Sequence, residues 1–438
     1  MDADVAVIGA GTAGATVALQ CARQGLQVLC LDRRDLEEAG ARWANNIPAW
    51  MFDAADVARP QPPEKLGDPT PIHLFAGYGP ERIVVENHGC IEVDMRRLVD
   101  RLREDATDAG ARFVGGVTVR DFDGEVLSTT KGRFRARWYV DASGLGGAGL
   151  VDLPSPRRSD ICTAAQQVHQ ITDVGRARRF FADHDVPYGH TLCYGALHGG
   201  YSVIHLRAHH SGRIHILTGS IPGRGNPSGR HILSDFVRTH SDWVGECEYG
   251  GASPIPLGRP VDRLARGRVA VVGDAAVQVL SAHGSGVGAG MMAAKILADS
   301  LADGEGVEGY ARRWQRRYGG MFAAYDLFRR FTCGLDTDEM AAMMRSGLLH
   351  PHLASLSLRQ VAPVPRRLIL PRPTEMVKKP QLLMRLGSTL ARMAWVALLY
   401  RRYPDEPKRV ADWANRVQHI FSEASSDLPV SQPETSPS

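Results

Sequence analysis

Apolar residues open the chain as an unbroken run, Val5-Ala-Val-Ile8, the pattern of a strand buried on both faces. A glycine-rich turn, Gly9-Ala-Gly-Thr-Ala-Gly14, leads into helical periodicity from about Ala13 to Gln24. A second apolar run, Val28-Leu-Cys-Leu31, ends at Asp32. Helical spacing returns between Asp94 and Gly110, with Leu98, Leu102 and Ala106 on one face, and Phe113–Val119 reads as a strand. Three alternating stretches, 117–122, 125–129 and 133–140, are separated by Asp123-Gly124 and Lys131-Gly132 and predict a three-stranded meander. Between about 160 and 255 period-two alternation dominates, and Tyr201–Leu206 and Arg213–Thr218 form a hairpin around His209-His-Ser-Gly212. Val269–Val272 is again a buried strand, ending in Gly273-Asp274 and followed by a glycine-rich loop and a helix from about Gly288 to Leu301. The rest is mostly helical and arginine-rich to about Phe421, with a Ser/Pro/Glu tail expected to be disordered.

The pattern predicts an α/β fold. A Rossmann-type nucleotide domain carrying a β-meander (1–45, 88–160 and 256–305) interleaves with an antiparallel-sheet substrate domain (46–87 and 161–255). A C-terminal helical region (306–421) and a tail (422–438) complete it.

The first βαβ unit has the parts a dinucleotide needs. Gly9 permits the tight turn, Gly11 lets backbone approach a pyrophosphate, and Gly14 lets the helix pack on the strand. Thr12 and Ala13 begin the helix whose free N–H groups and dipole face phosphate. Asp32 is placed to accept ribose hydroxyls, with Arg33 beside it. The alternative is a purely structural βαβ unit. A strand ending in Gly273-Asp274, with a poor helix-former such as Gly284-Ser-Gly-Val-Gly-Ala-Gly290 next, makes sense if a flavin dinucleotide crosses the sheet. Asp274 then takes a ribityl hydroxyl or reaches pyrophosphate through water, and the helix start at Gly286, Val287 and Gly288 points its dipole at the flavin pyrimidine edge. The competing reading is a surface acid and a flexible loop.

These residues resemble the glutathione-reductase-type FAD-dependent oxidoreductases. That superfamily includes aromatic hydroxylases, geranylgeranyl reductases, halogenases and lycopene cyclases. The resemblance covers about the first 310 residues and rests on Gly9/Gly11/Gly14/Asp32, on Asp141-Ala-Ser-Gly144, and on Gly273-Asp-Ala-Ala276. It implies bound FAD, with NAD(P)H as a transient electron donor or a flavin or ferredoxin reductase as partner. Asp141-Ala-Ser-Gly144 follows the reductase, cyclase and halogenase branches, and Val277 stands where hydroxylases carry histidine. The prenyl-reductase and halogenase aromatic strands are not reproduced at Tyr201-Ser-Val-Ile-His-Leu206. An arginine usually precedes the Leu98 helix; Met95 holds that register, and Arg96 or Arg97 is the substitute, Arg97 being taken as the cofactor contact. Gly144–Gly149 spells a second GxGxxG, but no strand–acid pair follows, so no second Rossmann site is expected.

His283, in the loop before the flavin-facing helix, is the first catalytic candidate, as a proton donor with an ordinary pKa near 6.5; loop packing is its alternative. His205 and Tyr201, on one strand face, come next. His205 and His215 were placed to face each other across the hairpin, yet no carboxylate or cysteine completes a ligand set, so no metal is expected. Leu382–Tyr400 has apolar helical spacing broken by Arg385 and Arg392. It either packs on the FAD domain, roofs a lipophilic pocket or touches a membrane surface.

Bulk composition narrows the setting. The 438 residues are 44% hydrophobic, ordinary for a globular protein, and the net charge of +4 gives no mandate for nucleic-acid binding. Seven scattered cysteines without a CxxC pair fit a reducing compartment, and no apolar run of about 18 residues suggests a transmembrane helix. A cytoplasmic location is expected. The function expected is an FAD-dependent monooxygenase or C=C reductase acting on a hydrophobic metabolite. The alternatives are a non-redox flavin cyclase or isomerase of the lycopene-cyclase kind, and a flavin-free binding protein on the same fold.

Overall fold

A computed structural model describes residues 2–362 and 379–426. Its first sheet places strands in the order 265–266, 269–271, 132–141, 3–8, 28–31 and 112–114. All neighbours are parallel except the first pair. Register matters here: Ile8 lies beside Asp141, and Asp141 beside Val271. Three strands therefore end together, and their three glycine turns meet at the carboxyl edge, where open α/β sheets bind ligands. The strand 132–141 also folds back antiparallel on 126–129 and 119–122, the expected meander. Helices Thr12–Arg23, Met95–Asp108 and Val287–Ala302 cover one face. Leu98, Leu102 and Ala106 are buried as their spacing required.

A seven-stranded sheet carries 244–256, 161–171, 213–220, 202–209, 191–195, 72–76 and 82–85 in that order. It is antiparallel except where 191–195 runs parallel to 72–76. Along Ser202–His209 burial alternates strictly. Ile204, Leu206 and Ala208 pack beneath the helices that contribute Ala177, Phe181, Ile232 and Leu233. Val203, His205, Arg207 and His209 occupy the opposite, half-exposed face. A three-stranded sheet, 44–48, 90–94 and 65–67, joins the two larger ones.

The C-terminal region has helices 306–314, 320–333, 337–346, 351–358, 380–401 and 410–426. Its hub is Arg329, fully buried, whose guanidinium reaches Asp326 and Asp160 at 2.7 Å each. Asp160 stands just before the strand at 161, so a charge pair closed to water ties this region to the substrate sheet.

Several boundaries differ from the sequence reading. The helix Ala49–Ala54, assigned to the substrate domain, buries Met51 and Phe52 in the nucleotide-domain core, because Gly288 leaves room for Met51. The strand around Phe113 shortens to Arg112–Val114. The last helix continues to Ser426, into the stretch read as tail; 427–438 lie outside the described residues. Most consequentially, Pro380–Arg401 is a 22-residue helix that contains an 18-residue stretch of mean hydropathy 1.4, long and apolar enough to cross a membrane by length and composition. Arg385 and Arg392 break its apolar run without lowering the average of that stretch far, so no uninterrupted run marks it. It packs chiefly on the helix 320–333 and touches the FAD-binding domain where Arg259 meets the Tyr400 hydroxyl at 3.4 Å. Ala397 and Tyr400 lie against Gly320 of the helix 320–333, the approach that glycine permits.

Candidate active site

At the carboxyl edge the glycines act as expected from their positions. Gly9 has φ +104°, and a Cβ there would strike the Ala142 carbonyl oxygen, so this glycine also serves the neighbouring turn. A Cβ on Gly14 would run into the Gly9 carbonyl. Gly11 meets only the Gly40 Cα, at 3.4 Å, and caps the helix Thr12–Arg23 without any side-chain hydrogen bond or first-turn acid. Thr12 and Ala13 thus begin a helix whose terminal N–H groups await an outside acceptor. Asp32, nearly buried, accepts from Ala10 N–H and Arg34 N–H at 2.8 Å each, one per carboxylate oxygen. Each oxygen keeps a lone pair for a hydroxyl. Arg33 is exposed beside it. Asp141 organises its own turn by accepting from Ser143 and Ala148, which leaves Gly144 at φ +87° with open space around it.

The third turn closes on the first. Gly273, at φ +73°, abuts Ala13, and its N–H is held by Gln278 at 2.8 Å. Asp274 lies against Gly286, the uncapped start of the helix Val287–Ala302. Its carboxyl has no hydrogen-bond partner among the described residues, and burial pushes its pKa up to about 6. Val277, β-branched yet at φ 54°, is a strained residue in the same turn. Two uncapped helix starts, a half-satisfied ribose acid and an unpartnered deep carboxylate form a continuous cradle that a flavin dinucleotide fits: Asp32 for ribose, Gly11 to Ala13 for pyrophosphate, Asp274 and Gly286 to Gly288 toward the ring. Arg97 is exposed, its Nε 4.0 Å from Asp94. Arg96 pairs with Asp94 at 2.7 Å and stacks on Tyr249.

A cavity of about 1210 Å³ lies between this edge, the substrate sheet and the C-terminal helices, and Tyr201, His205 and His283 all line it. The proton-donor role expected of His283 needs revision. Burial lowers its pKa, and Nε2 donates to the Ser357 carbonyl at 3.0 Å, so the proton on that nitrogen is already engaged. Burial, with His283 nearby, drops His205 to about 4, so it is neutral near pH 7 and lacks a hydrogen-bond partner. Burial also raises Tyr201 far above the tyrosine norm, which keeps its hydroxyl protonated near the Gly284 turn.

The lining has two chemical characters. Leu74, Met340, Met343, Leu348, Leu353, Leu386 and Leu390 are apolar, whereas Asn45, Asn46, Gln166, Glu92, Arg207 and His215 are polar, with Arg207 and His215 both bonded to Glu92. The polar group escaped the sequence reading, because its members come from strands 44–48, 90–94, 161–171 and the hairpin. Across the hairpin His215 sits opposite Arg207, and His205 opposite Leu217, so the expected histidine pair does not form. Glu92 supplies the carboxylate that seemed missing: with His209 and His215 it brings three ligand atoms within 4.8 Å. However, Arg207 Nη1 lies 2.6 Å from Glu92 Oε2 and His215 Nδ1 lies 2.9 Å from Oε1, so the carboxylate already neutralises a guanidinium where a cation would sit. Burial would raise the Glu92 pKa, but the His215 hydrogen bond, with Arg207 and His209 close by, holds it below the usual range.

Comparison with known proteins matches residues 4–63 and 84–300 to the family described as FAD dependent oxidoreductase. A digeranylgeranylglycerophospholipid reductase of Methanothrix thermoacetophila is 27% identical over 369 residues, 79% of this chain and 91% of the relative. One from Sulfolobus acidocaldarius is 22% identical and spans 97% and 98% of the two chains. The solved structure of a geranylgeranyl bacteriochlorophyll reductase-like protein from Thermoplasma acidophilum shares the fold at TM-score 0.65 and 15% identity, covering 88% of this chain and 99% of that one.

Proposed function

The chain belongs to the FAD-dependent oxidoreductase family, and from that premise we propose that it saturates carbon–carbon double bonds in a polyprenyl lipid. The observation that carries this reading is the large cavity of mixed lining: leucine and methionine side chains suited to an isoprenoid chain, and the polar cluster around Glu92 suited to a headgroup. The relatives named as reductases of a digeranylgeranyl lipid support it.

Asp32, Gly11 to Ala13, Asp274 and Gly286 to Gly288 would hold FAD, which when bound supplies two-electron hydride chemistry. Saturating one double bond also takes a proton. At the cavity wall the proton-bearing groups are Tyr201, held as the phenol, and neutral His205. The apolar lining would exclude water and hold a chain beside those groups. Arg207, already paired with Glu92, has a buried Nε without a partner, which offers a donor to a headgroup oxygen. NADH, NADPH and reduced ferredoxin are the candidate donors.

The test offers a geranylgeranyl ether lipid to purified protein anaerobically, with dithionite and then each candidate donor. The expected product gains two hydrogens per bond by mass spectrometry, and Tyr201→Phe lowers that rate more than it lowers FAD content. Substrate-coupled oxygen uptake with a hydroxylated product, or isomerisation without consumption of reductant, would overturn the proposal.

A further inference from the structure

The helix Pro380–Arg401 has two faces of different fate. Leu382, Leu386, Thr389, Val396 and Tyr400 are buried in the protein. Leu383, Met384, Gly387, Leu390, Ala391, Ala394, Trp395 and Leu398 are exposed, and that stripe holds no polar side chain over four turns. Of the seven large hydrophobic residues strongly exposed among the described residues, five lie in it. A patch this concentrated marks a contact surface rather than ordinary surface scatter.

We propose that this stripe seats the protein on the surface of an anionic lipid bilayer, with the helix lying in the plane of the interface. Three observations select that occupant. First, residues 359–402 carry ten basic and one acidic side chain, a local charge of +9 against +4 for the whole chain. Lys379 stands before the helix, and exposed Arg401 and Arg402 close it. Basic ends around an apolar face suit an interfacial helix on anionic lipid. Second, Trp395 is 59% exposed in mid-stripe, an amphipathic ring suited to headgroup depth. Third, Leu383 and Leu390 are about half exposed and also line the cavity, so the chamber opens where the stripe meets its surroundings. The buried face rules out a spanning segment, since crossing the membrane would strip Val396 and Tyr400 from their packing with Trp413.

Docking stands independently of the reaction. Transfer of a lipid tail from the bilayer into the cavity rests on the reductase reading above. The experiment is co-sedimentation of the full chain, loaded with FAD, with vesicles of phosphatidylcholine alone or containing phosphatidylglycerol. Binding is expected to rise with phosphatidylglycerol and fall with salt. The triple variant Met384→Glu/Trp395→Glu/Leu398→Glu, none of which lines the cavity, should bind at least about tenfold more weakly. Its flavin absorbance and its turnover of a detergent-dispersed short prenyl substrate should stay unchanged. A milder triple Ser variant guards against misfolding and should lose most binding as well. Vesicle binding equal in wild type and both variants overturns the proposal. So does a dimer that the variants dissociate, combined with no vesicle binding. Failure to reduce any prenyl substrate, with vesicle binding intact, refutes the reductase reading and leaves the docking in place.

Discussion

Replacing Asp274 with Asn separates the cost of a deep carboxylate from its use. Burial raises the pKa of this group from 3.8 to about 6. A full two-unit shift would correspond to about 3 kcal/mol. Because the carboxyl touches the open cofactor groove, water reaches it, and roughly 1–2 kcal/mol is the working figure. The sign follows from proton binding. The folded state binds this proton more tightly than the unfolded state, so the penalty is complete above about pH 6 and absent below about 3.8. Apo Asp274→Asn should therefore be about 1–2 kcal/mol more stable than apo wild type at pH 7.5, with the gap closing as pH falls to 4. FAD should close most of that gap, since exchanging a charge-assisted acceptor for a neutral amide costs on the order of tenfold in affinity, about 1.4 kcal/mol. Urea denaturation of both apoproteins at four pH values, followed by FAD titration monitored by flavin fluorescence, measures both effects. A gap that does not vary with pH would refute the burial argument, and unchanged FAD affinity would refute the cofactor assignment.

Other substitutions probe different parts of the site. Gly288→Ala should cost about 1–3 kcal/mol by forcing Met51 from its place, and Met51→Ala in the same chain should recover part of it, as thermal melts will show. Arg329→Met leaves Asp326 and Asp160 with Arg330 as their remaining partner and should cost on the order of 3 kcal/mol by denaturant titration; the further change of both aspartates to Asn should restore much of the loss. Glu92→Gln should destabilise the protein above about pH 4.5, where the wild-type carboxylate is ionised and paired; the difference should shrink as pH falls below 4.5 through the lowered folded-state value, and a difference that grew in acid would contradict the assigned pairing.

The nucleotide half was legible because each of its constraints is local. Gly9, Gly11, Gly14 and Asp32 lie within 24 residues, and strand, turn and helix announce themselves by composition. The hairpin 202–220 was equally clear from its period-two alternation. What alternation could not show was the partner of each face. It put His205 and His215 on neighbouring strands but not in register, and a two-residue offset along the strand sends them to different neighbours. Glu92 belongs to a strand more than 100 residues from the hairpin, so no spacing rule joins it to Arg207. His283 was visible as a loop histidine, but the carbonyl that fixes its tautomer belongs to Ser357, in a helix with no sequence signature of contact. The apolar stripe of the long helix was legible in outline, and only packing told which of its faces turned outward.

The buried clasp of Arg329 on Asp326 and Asp160 bears on traffic through the chamber. A roof hinged like a lid must break its contacts at each turnover, and parting these three groups would expose bare charge to a medium that cannot solvate it. The roof is therefore a fixed vault, and passage must run sideways through the gap beside Leu383 and Leu390. A vault with a side door admits a flexible molecule end-first. The length of molecule accepted is then set by the depth of the chamber, and not by how far any part of the protein can open.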